Sequence, residues 1–403
     1  MAEFAAWSCV LRERGLGWPV FLIDRAALDA NVELLRTIAA GTRLRLVLKS
    51  LPSTELIDYL MDALGTNKLM AFHLPFVLQA ARRWPQSDIM LGKPLPVAAA
   101  EYFYAHAGDL DAFDSQNRLH WLIDTPRRAA QYAKLARRRG LRMSVIAELD
   151  VGMHRGGADS AEYLKVLLDS IENEGEVFRL AGFMGYDAHA GRGAPWVRRA
   201  SAVARANQRY RELLDAARQT HPDLLPDAEQ LLINGSGSPS CVFHGDDSPL
   251  NELAIGSVLL KPAEFDLPQL SGFRPAGWLA SPVIKRLAGV RLPFLEWLSR
   301  LSRRHTLFVY GGRWPAVPAW PEGLRASRLY GPSFNQQFFS VPREATVQVD
   351  DFVFFRPLQS EQVMLIPGEV VLVDGEQVAS CWSVLDRKNL AEVSVQSRHQ
   401  EMP

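Results

Sequence analysis

The chain has 403 residues, too many for one ordinary domain and enough for a large α/β barrel with a smaller companion. Hydrophobic residues make up 48% and charged residues 22%, the balance of a protein with a large core. Lys+Arg and Asp+Glu both number 45, so the formal net charge is zero, which argues against nucleic acid or an anionic membrane as the main partner.

From the N-terminus, no basic segment precedes an apolar signal core, and no apolar run is long enough to span a bilayer, so a cytoplasmic protein is expected. Residues 1–18 read as an N-terminal extension packing on a β domain. Strands are predicted at Pro19–Asp24, Leu44–Lys49, Lys68–Phe72, Asp88–Lys93, Leu119–Asp124, Met143–Asp150, Phe178–Tyr186, Leu231–Asn234 and Glu252–Leu260. Amphipathic helical patterns lie between them at Ala26–Ala39, Ser53–Leu64, Pro126–Arg139, Ala161–Glu172 and Val197–Arg218. Strands alternating with helices imply parallel βαβ units, and about eight such repeats predict a (β/α)8 TIM barrel over 19–270. The first strand is expected to be a lead-in rather than a stave.

After about Phe265 the pattern changes. Pro and Gly thicken through Pro268, Gly272, Pro275 and Gly277. Beyond them, Thr306–Tyr310, Thr346–Val349, Phe352–Phe355, Gln362–Ile366, Glu369–Val373 and Gln377–Val384 read as strands, with a helical insertion near Leu292–Arg303. Asp374-Gly375 is a hairpin signal between two of these runs. Residues 271–403 are therefore predicted to form a mostly β domain. Arg137-Arg138-Arg139 before Gly140 reads as a helix C-terminus, where cations suit the dipole. The three cysteines, Cys9, Cys241 and Cys381, are too widely spaced for a zinc motif or a disulfide framework.

Four features fall at the C-terminal ends of barrel strands, where barrel enzymes keep their chemistry. Lys49 closes the run Arg45-Leu46-Val47-Leu48-Lys49, and an amine held there can form a Schiff base with an aldehyde cofactor. A strand-end lysine taken alone is ordinarily just solvated. Glu148-Leu149-Asp150-Val151-Gly152-Met153-His154-Arg155 runs from a strand into a tight glycine turn carrying charge, which by itself fits an ordinary βα loop. Tyr186-Asp187-Ala188-His189 places a phenol and an imidazole past a strand end, where either is more often a structural hydrogen-bonder. Asn234-Gly235-Ser236-Gly237-Ser238, with Gly256-Ser257 after the next strand, offers backbone amides and hydroxyls to an anion. Barrels commonly hold phosphate at the loops after their seventh and eighth strands, although turns use the same residues.

These motifs together resemble the fold-type III pyridoxal-phosphate enzymes of the alanine racemase-like superfamily, nearest the D-threonine aldolase and D-serine dehydratase branch. Val47-Leu48-Lys49-Ser50 resembles that family's first-strand lysine motif, and Glu148–Arg155 its D-V-G-M-x-R motif. Asn234–Ser238 resembles its phosphate loop, and Leu253–Ser257 the following L-x-P-G-S element. Asp351-Phe352-Val353, Asp374-Gly375 and Trp382 to Arg387 resemble its C-terminal β domain. The resemblance implies that Lys49 holds pyridoxal 5'-phosphate and later shuttles the α-proton. It implies that Arg155 lies near the cofactor's phenolic oxygen and Tyr186 beside its ring. Gly235, Ser236, Gly237, Ser238, Gly256 and Ser257 would cradle the phosphate. A homodimer is implied as well, with the β domain of one subunit over the barrel mouth of the other.

Two departures shape the expectation. Racemases carry an arginine at the position of Ala254, facing the pyridine nitrogen. The aldolase and dehydratase branch binds a divalent metal through P-x-H-x-C or P-x-H-x-D, and this chain has Pro357-Leu358-Gln359-Ser360-Glu361. Gln359 and Glu361 at those positions make a poor site for a borderline metal, so none is expected, and Glu361, His189 or Tyr186 become the candidates to serve a substrate hydroxyl. The expected activity is a lyase acting on a small D- or β-hydroxy amino acid, by retro-aldol cleavage or deaminating dehydration. The alternatives are an amino-acid racemase, using Lys49 and a phenol such as Tyr310 of a second subunit, or a non-catalytic cofactor-binding protein.

Overall fold

The computed structural model of the protein describes residues 2–110, 112–192, 197–290, 302–327, 331–367 and 369–385, together with 297 and 299. The chain divides into two compact units: Leu35–Lys49 with Ile57–Gly256, and Met1–Leu34 with Ser50–Leu56 and Ser257–Val384. The chain passes between them directly after Lys49 and directly after Gly256.

The first unit is a closed parallel barrel of eight strands. Its staves are β2 (Arg43–Val47), β3 (Lys68–Ala71), β4 (Asp88–Leu91), β5 (Leu119–Ile123), β6 (Met143–Glu148), β7 (Phe178–Gly185), β8 (Leu232–Gly235) and β9 (Glu252–Ile255). The first predicted strand is β1 (Val20–Asp24), and it is no stave: it belongs to the sheet of the other unit. Helices α1 (Ala2–Glu13), α2 (Arg25–Ile38) and α3 (Thr54–Leu64) precede and follow β1 and β2. The remaining helices of the barrel region are α4 (Leu74–Arg83), α5 (Val97–Ala105), α6 (Ser115–Arg118), α7 (Pro126–Arg139), α8 (Ala161–Glu172), α9 (Ala188–Arg192) and α10 (Arg199–Thr220). Local chemistry fixes their ends. The Thr125 side chain accepts from the Arg128 amide with Pro in the first turn of α7, and Gly140 ends that helix in the left-handed conformation at φ 61. Ser160 caps α8 in the same way, accepting from Tyr163.

Strand alternation decides what fills the barrel. Arg45 is fully buried and crosses the interior to groups on other staves. Its Nη2 donates to Glu252 at 2.9 Å on β9 and meets Asp88 at 2.7 Å on β4, and its Nη1 donates to the Leu69 carbonyl of β3. His120 bridges Asp88 and Ser144 at 3.2 and 2.8 Å, and Asn234 donates to Glu252 at 2.9 Å. These residues therefore point inward, and the period of two carries the inward face on to Phe72, Asp124, Glu148 and Ala254 at the C-terminal end.

The second unit contains a nine-stranded sheet. It comprises β1, β10 (Gly277–Leu287), β11 (Arg304–Tyr310), β12 (Ala316–Trp320), β13 (Arg325–Ala326), β14 (Gln336–Pro342), β15 (Phe352–Pro357), β16 (Glu369–Asp374) and β17 (Gln377–Ser383). All its pairings are antiparallel except β1 with β16. Helix α1 buries Trp7 and Leu11 against Val20, Leu22, Ala280, Phe354 and Val371. Gly375, at φ 58, makes the hairpin turn between β16 and β17.

Two predicted strands are not strands. Gln362–Ile366 falls in α11 (Ser360–Met364) and the turn after it, because a short apolar run carries no period that separates helix from strand. Thr346–Val349 is irregular: the Asp351 carboxylate accepts from the Gln348 amide and the Gln348 side chain donates to the Thr346 carbonyl, local bonds that displace a ladder. Most of the helical insertion near Leu292–Arg303, and Arg387, lie outside the described residues. Among the described residues no helix is long and apolar enough to cross a membrane.

Candidate active site

The candidate site lies at the C-terminal end of the barrel. Lys49 follows β2 in a 3₁₀ turn, Leu48–Ser50, rather than within the strand as predicted. The turn ends the pleat, and the half-buried Lys49 places its Nζ 4.8 Å from the centre of the Phe72 ring. The Phe72 ring thus covers one side of the amine.

Arg155 and Tyr186 come together: the guanidinium carbon lies 4.8 Å from the centre of the Tyr186 ring. The turn that delivers Arg155 is organised by Asp150, whose carboxylate accepts from the amides of Gly152 and His154, each at 2.9 Å, and from His154 Nδ1 at 3.0 Å. Burial acts to raise the Asp150 pKa, but these donors outweigh it and hold it below the usual carboxylate range. Glu148 behaves oppositely. Burial, then the charge of Asp124, raise its pKa to about 7 against the pull of Arg155, with Asp150 adding to the rise. A carboxyl titrating there can hold or release a proton near neutral pH.

His189 lies on α9 with Nδ1 buried and, among the described residues, without a hydrogen-bond partner. Burial lowers its pKa, so the imidazole is a neutral base at pH 7. A Cβ on Gly152 would stand 2.9 Å from His189 Nε2, and Gly152 has φ 115, so glycine is required there twice over. A cavity of about 490 Å3 borders His189, Asp150, His154, Arg205 and Arg209.

The loop after β8 has the form an anion site needs. Gly235, Ser236, Gly237 and Ser238 are all buried, and Ser236 is left-handed at φ 68. A Cβ on Gly235 would stand 2.9 Å from the Gly185 carbonyl, and one on Gly237 would stand 2.8 Å from Tyr186 Cε2. The Gly237 amide itself is engaged by Ser240 Oγ at 3.2 Å. Gly237 therefore admits the Tyr186 ring, and its own amide is already engaged. An amine at one stave, a cation over a phenol at two others and a glycine-serine loop at a fourth fit a phosphorylated aromatic aldehyde.

The remaining predicted residues, Ser257 and Glu361, are in the sheet unit. Ser257 Oγ donates to Ser50 Oγ at 3.1 Å, and Ser50 Oγ donates to Glu361 Oε2 at 3.2 Å, so Glu361 is tied to the residue after Lys49. Gln359 donates to Glu264 instead. The two residues at the expected ligand positions thus have different partners. Among the described residues, three metal-type donors converge at Asp169, Glu172 and His221, at the ends of α8 and α10 that return to the N-terminal side of the staves.

Sequence reasoning singled out neither Asp124 nor the buried set Asp187, Ser240 and His244 as site groups. Asp124 closes a predicted strand, and its position was the available signal. The other three meet only through the fold.

The profile of one protein family, described as alanine racemase, N-terminal domain, matches residues 23–262. A comparison with curated proteins finds no match. Among solved structures, the chain is similar to D-threonine aldolase from Filomicrobium marinum, with a TM-score of 0.73 and 18% identity over 93% of this chain and 99% of that one. It is similar to D-threo-3-hydroxyaspartate dehydratase from Delftia sp. HT23, with a TM-score of 0.68 and 16% identity over 91% of this chain and 97% of that one. It is also similar to alanine racemase from Bacillus anthracis, with a TM-score of 0.69 and 14% identity over 91% of this chain and 98% of that one. At these identities the likeness shows a shared fold.

Proposed function

The chain belongs to the family of the alanine racemase N-terminal domain, whose members are pyridoxal-phosphate enzymes, and from that premise we propose that it is a lyase acting on a small D- or β-hydroxy amino acid. The observation that carries the reading is the convergence of Lys49, the Arg155–Tyr186 pair and the Gly235–Ser238 loop at one end of one closed barrel. Bound there, pyridoxal phosphate supplies an electron sink for a carbanion at the substrate α-carbon.

The chain's own groups do the rest. Lys49 Nζ would be the amine that holds the cofactor by its aldehyde group, and afterwards the base that holds the substrate α-proton. Arg155 would face the phenolic oxygen and favour its anionic form. The Tyr186 ring fixes the plane, with Gly237 leaving it room. The Gly235–Ser238 loop, with Gly256 and Ser257, holds the phosphate. His189, a neutral base by burial, would take the β-hydroxyl proton for retro-aldol cleavage; for dehydration the proton to the leaving oxygen would have to come from a group that still carries one, such as the Tyr186 phenol. The small Ala254 supports the lyase over a racemase, since it brings no cation to the ring nitrogen.

A screen of D- and L-amino acids for spectral change, followed by product analysis, tests the proposal. Aldehyde or ammonia as product supports it. Solvent deuterium at the α-position with loss of optical activity and no fragmentation would replace it with the racemase reading, which the exposed Tyr310 at the end of β11 favours. Bound cofactor with no turnover of any amino acid would leave a binding protein. Family membership supports a homodimer, which sedimentation would test.

A further inference from the structure

We propose that Asp187, Ser240 and His244 are positioning residues that set the anion loop for a phosphate ester. The proposal rests on the reading above and names residues that reading does not use.

All three are buried, at 2%, 0% and 3% exposure. Asp187 follows Tyr186 directly after β7. Its Oδ1 accepts from Ser240 Oγ at 2.6 Å, and its Oδ2 meets His244 Nε2 at 2.8 Å. His244 Nδ1 in turn meets Ser248 Oγ at 3.0 Å. A carboxylate taken out of water is costly unless its oxygens are engaged, so a buried acid with a partner on each oxygen marks a position where geometry is being held.

The direction of the serine proton gives the clamp its consequence. Because Ser240 donates to Asp187, its oxygen is left to accept, and it accepts the Gly237 amide at 3.2 Å. The Gly237 carbonyl takes the amides of Ser240 and Cys241, each at 3.0 Å. Both polar groups of Gly237 are therefore turned into the protein, which fixes the peptide planes on either side. Ser236, held in the left-handed conformation that non-glycine residues adopt only at a cost, stands immediately before it. One clamp thus joins the end of β7, which carries Tyr186, to the loop after β8. It holds the phosphate-facing loop against the end of β7.

A purely structural role would weaken every ligand of the site alike. Phosphate positioning predicts a selective loss. The test is absorbance titration of the full chain with pyridoxal phosphate and with pyridoxal, which lacks the phosphate. For Ser240→Ala, affinity for pyridoxal phosphate should fall at least tenfold while that for pyridoxal changes less than twofold. Asp187→Asn should show the same selectivity, and thermal melting of both variants without ligand checks folding. If Asp187→Asn fails to fold, the outcome with Ser240→Ala alone decides. Equal losses for both ligands, or none for either, overturn the proposal. A wild type that binds pyridoxal phosphate no tighter than pyridoxal overturns it too, while leaving the lysine chemistry standing. A wild type that binds neither defeats both readings.

Discussion

The ring of Tyr186 occupies the space a side chain on Gly237 would need: a Cβ there would lie 2.8 Å from Cε2, while Arg155 packs over the same ring at 4.8 Å. Gly237→Ala must therefore displace the Tyr186 ring or the loop itself, both of which the proposed function assigns to cofactor binding. Overpacking of this kind costs about 1–3 kcal/mol, so the dissociation constant for pyridoxal phosphate should rise by roughly tenfold. In a Tyr186→Ala background the same methyl group should cost almost nothing. An equal cost in both backgrounds would show that the contact is not what requires glycine.

Lys49→Ala should abolish the visible absorption that develops when pyridoxal phosphate is added to the wild type, and its turnover with it. Lys49 is half-buried in a turn and its Nζ rests over Phe72, so removing the amine leaves the stave intact and melting should change little. A visible band that survives the substitution would assign the bond to another amine.

Lys49 also shows where sequence reasoning stops. Its place after the first stave is legible from the alternation in Arg43–Val47, but the pattern cannot show that the pleat ends at Val47 and that a 3₁₀ turn carries the amine. The staves are readable because each is a short β-branched or apolar run flanked by turns, and α7 and α8 because cap and period agree at both ends. Val20–Asp24 has the same local signature as a stave, and only its partners, β10 and β16, place it in the other sheet. The Gly235–Ser238 loop announces an anion site, yet the engagement of the Gly237 amide depends on Ser240 and Asp187, the latter 53 residues from Ser240 in the chain. Such contacts leave no period or spacing to read.

Removing divalent metal should leave turnover unchanged. Gln359 is engaged with Glu264 and Glu361 with Ser50, so the two groups at the expected ligand positions are each bound elsewhere, and an amide oxygen competes poorly with imidazole for a borderline metal. Dialysis against a chelator should alter kcat/KM less than twofold. A stoichiometric, tightly held transition metal in the purified protein would contradict this expectation.

Glu252→Gln should be among the most destabilising substitutions in the barrel. Arg45 and Glu252 are both fully buried, and Arg45 donates to it at 2.9 Å. Taking away one partner of a buried pair leaves charge uncompensated, at a cost of about 3 kcal/mol or more. Burial alone would raise the Glu252 pKa, but Arg45 prevails and holds it below the ordinary value of 4.5, and Asp88 is depressed likewise. Their contribution is therefore present above the ordinary carboxylate range and is lost as pH falls through the depressed values. The gap in melting temperature between wild type and Glu252→Gln should be full at pH 7 and should narrow only in acid. A gap independent of pH would mean that shape, not charge, is what Glu252 contributes.

Glu148 has the opposite sign. Burial and Asp124 raise its pKa from 4.5 to about 7, so between those values the folded protein holds a proton that the unfolded chain has released. Stability from this group is complete below pH 4.5 and declines as pH rises through 7, by at most about 3 kcal/mol. Glutamine mimics the protonated form and does not titrate. Glu148→Gln without cofactor should therefore melt with the wild type at pH 4.5 and above it at pH 8. The effect extends to the site because Arg155 is the cation that pulls against the shift. As Glu148 ionises, Arg155 gains an anionic neighbour, which under the proposed function would make it a weaker donor to the cofactor's phenolic oxygen. The spectrum of the lysine-bound cofactor should accordingly show a transition near pH 7 in the wild type and none in Glu148→Gln. A transition that persists in the variant would assign the proton to another group, and a variant no more stable than wild type at pH 8 would mean that Glu148 is ionised at little cost.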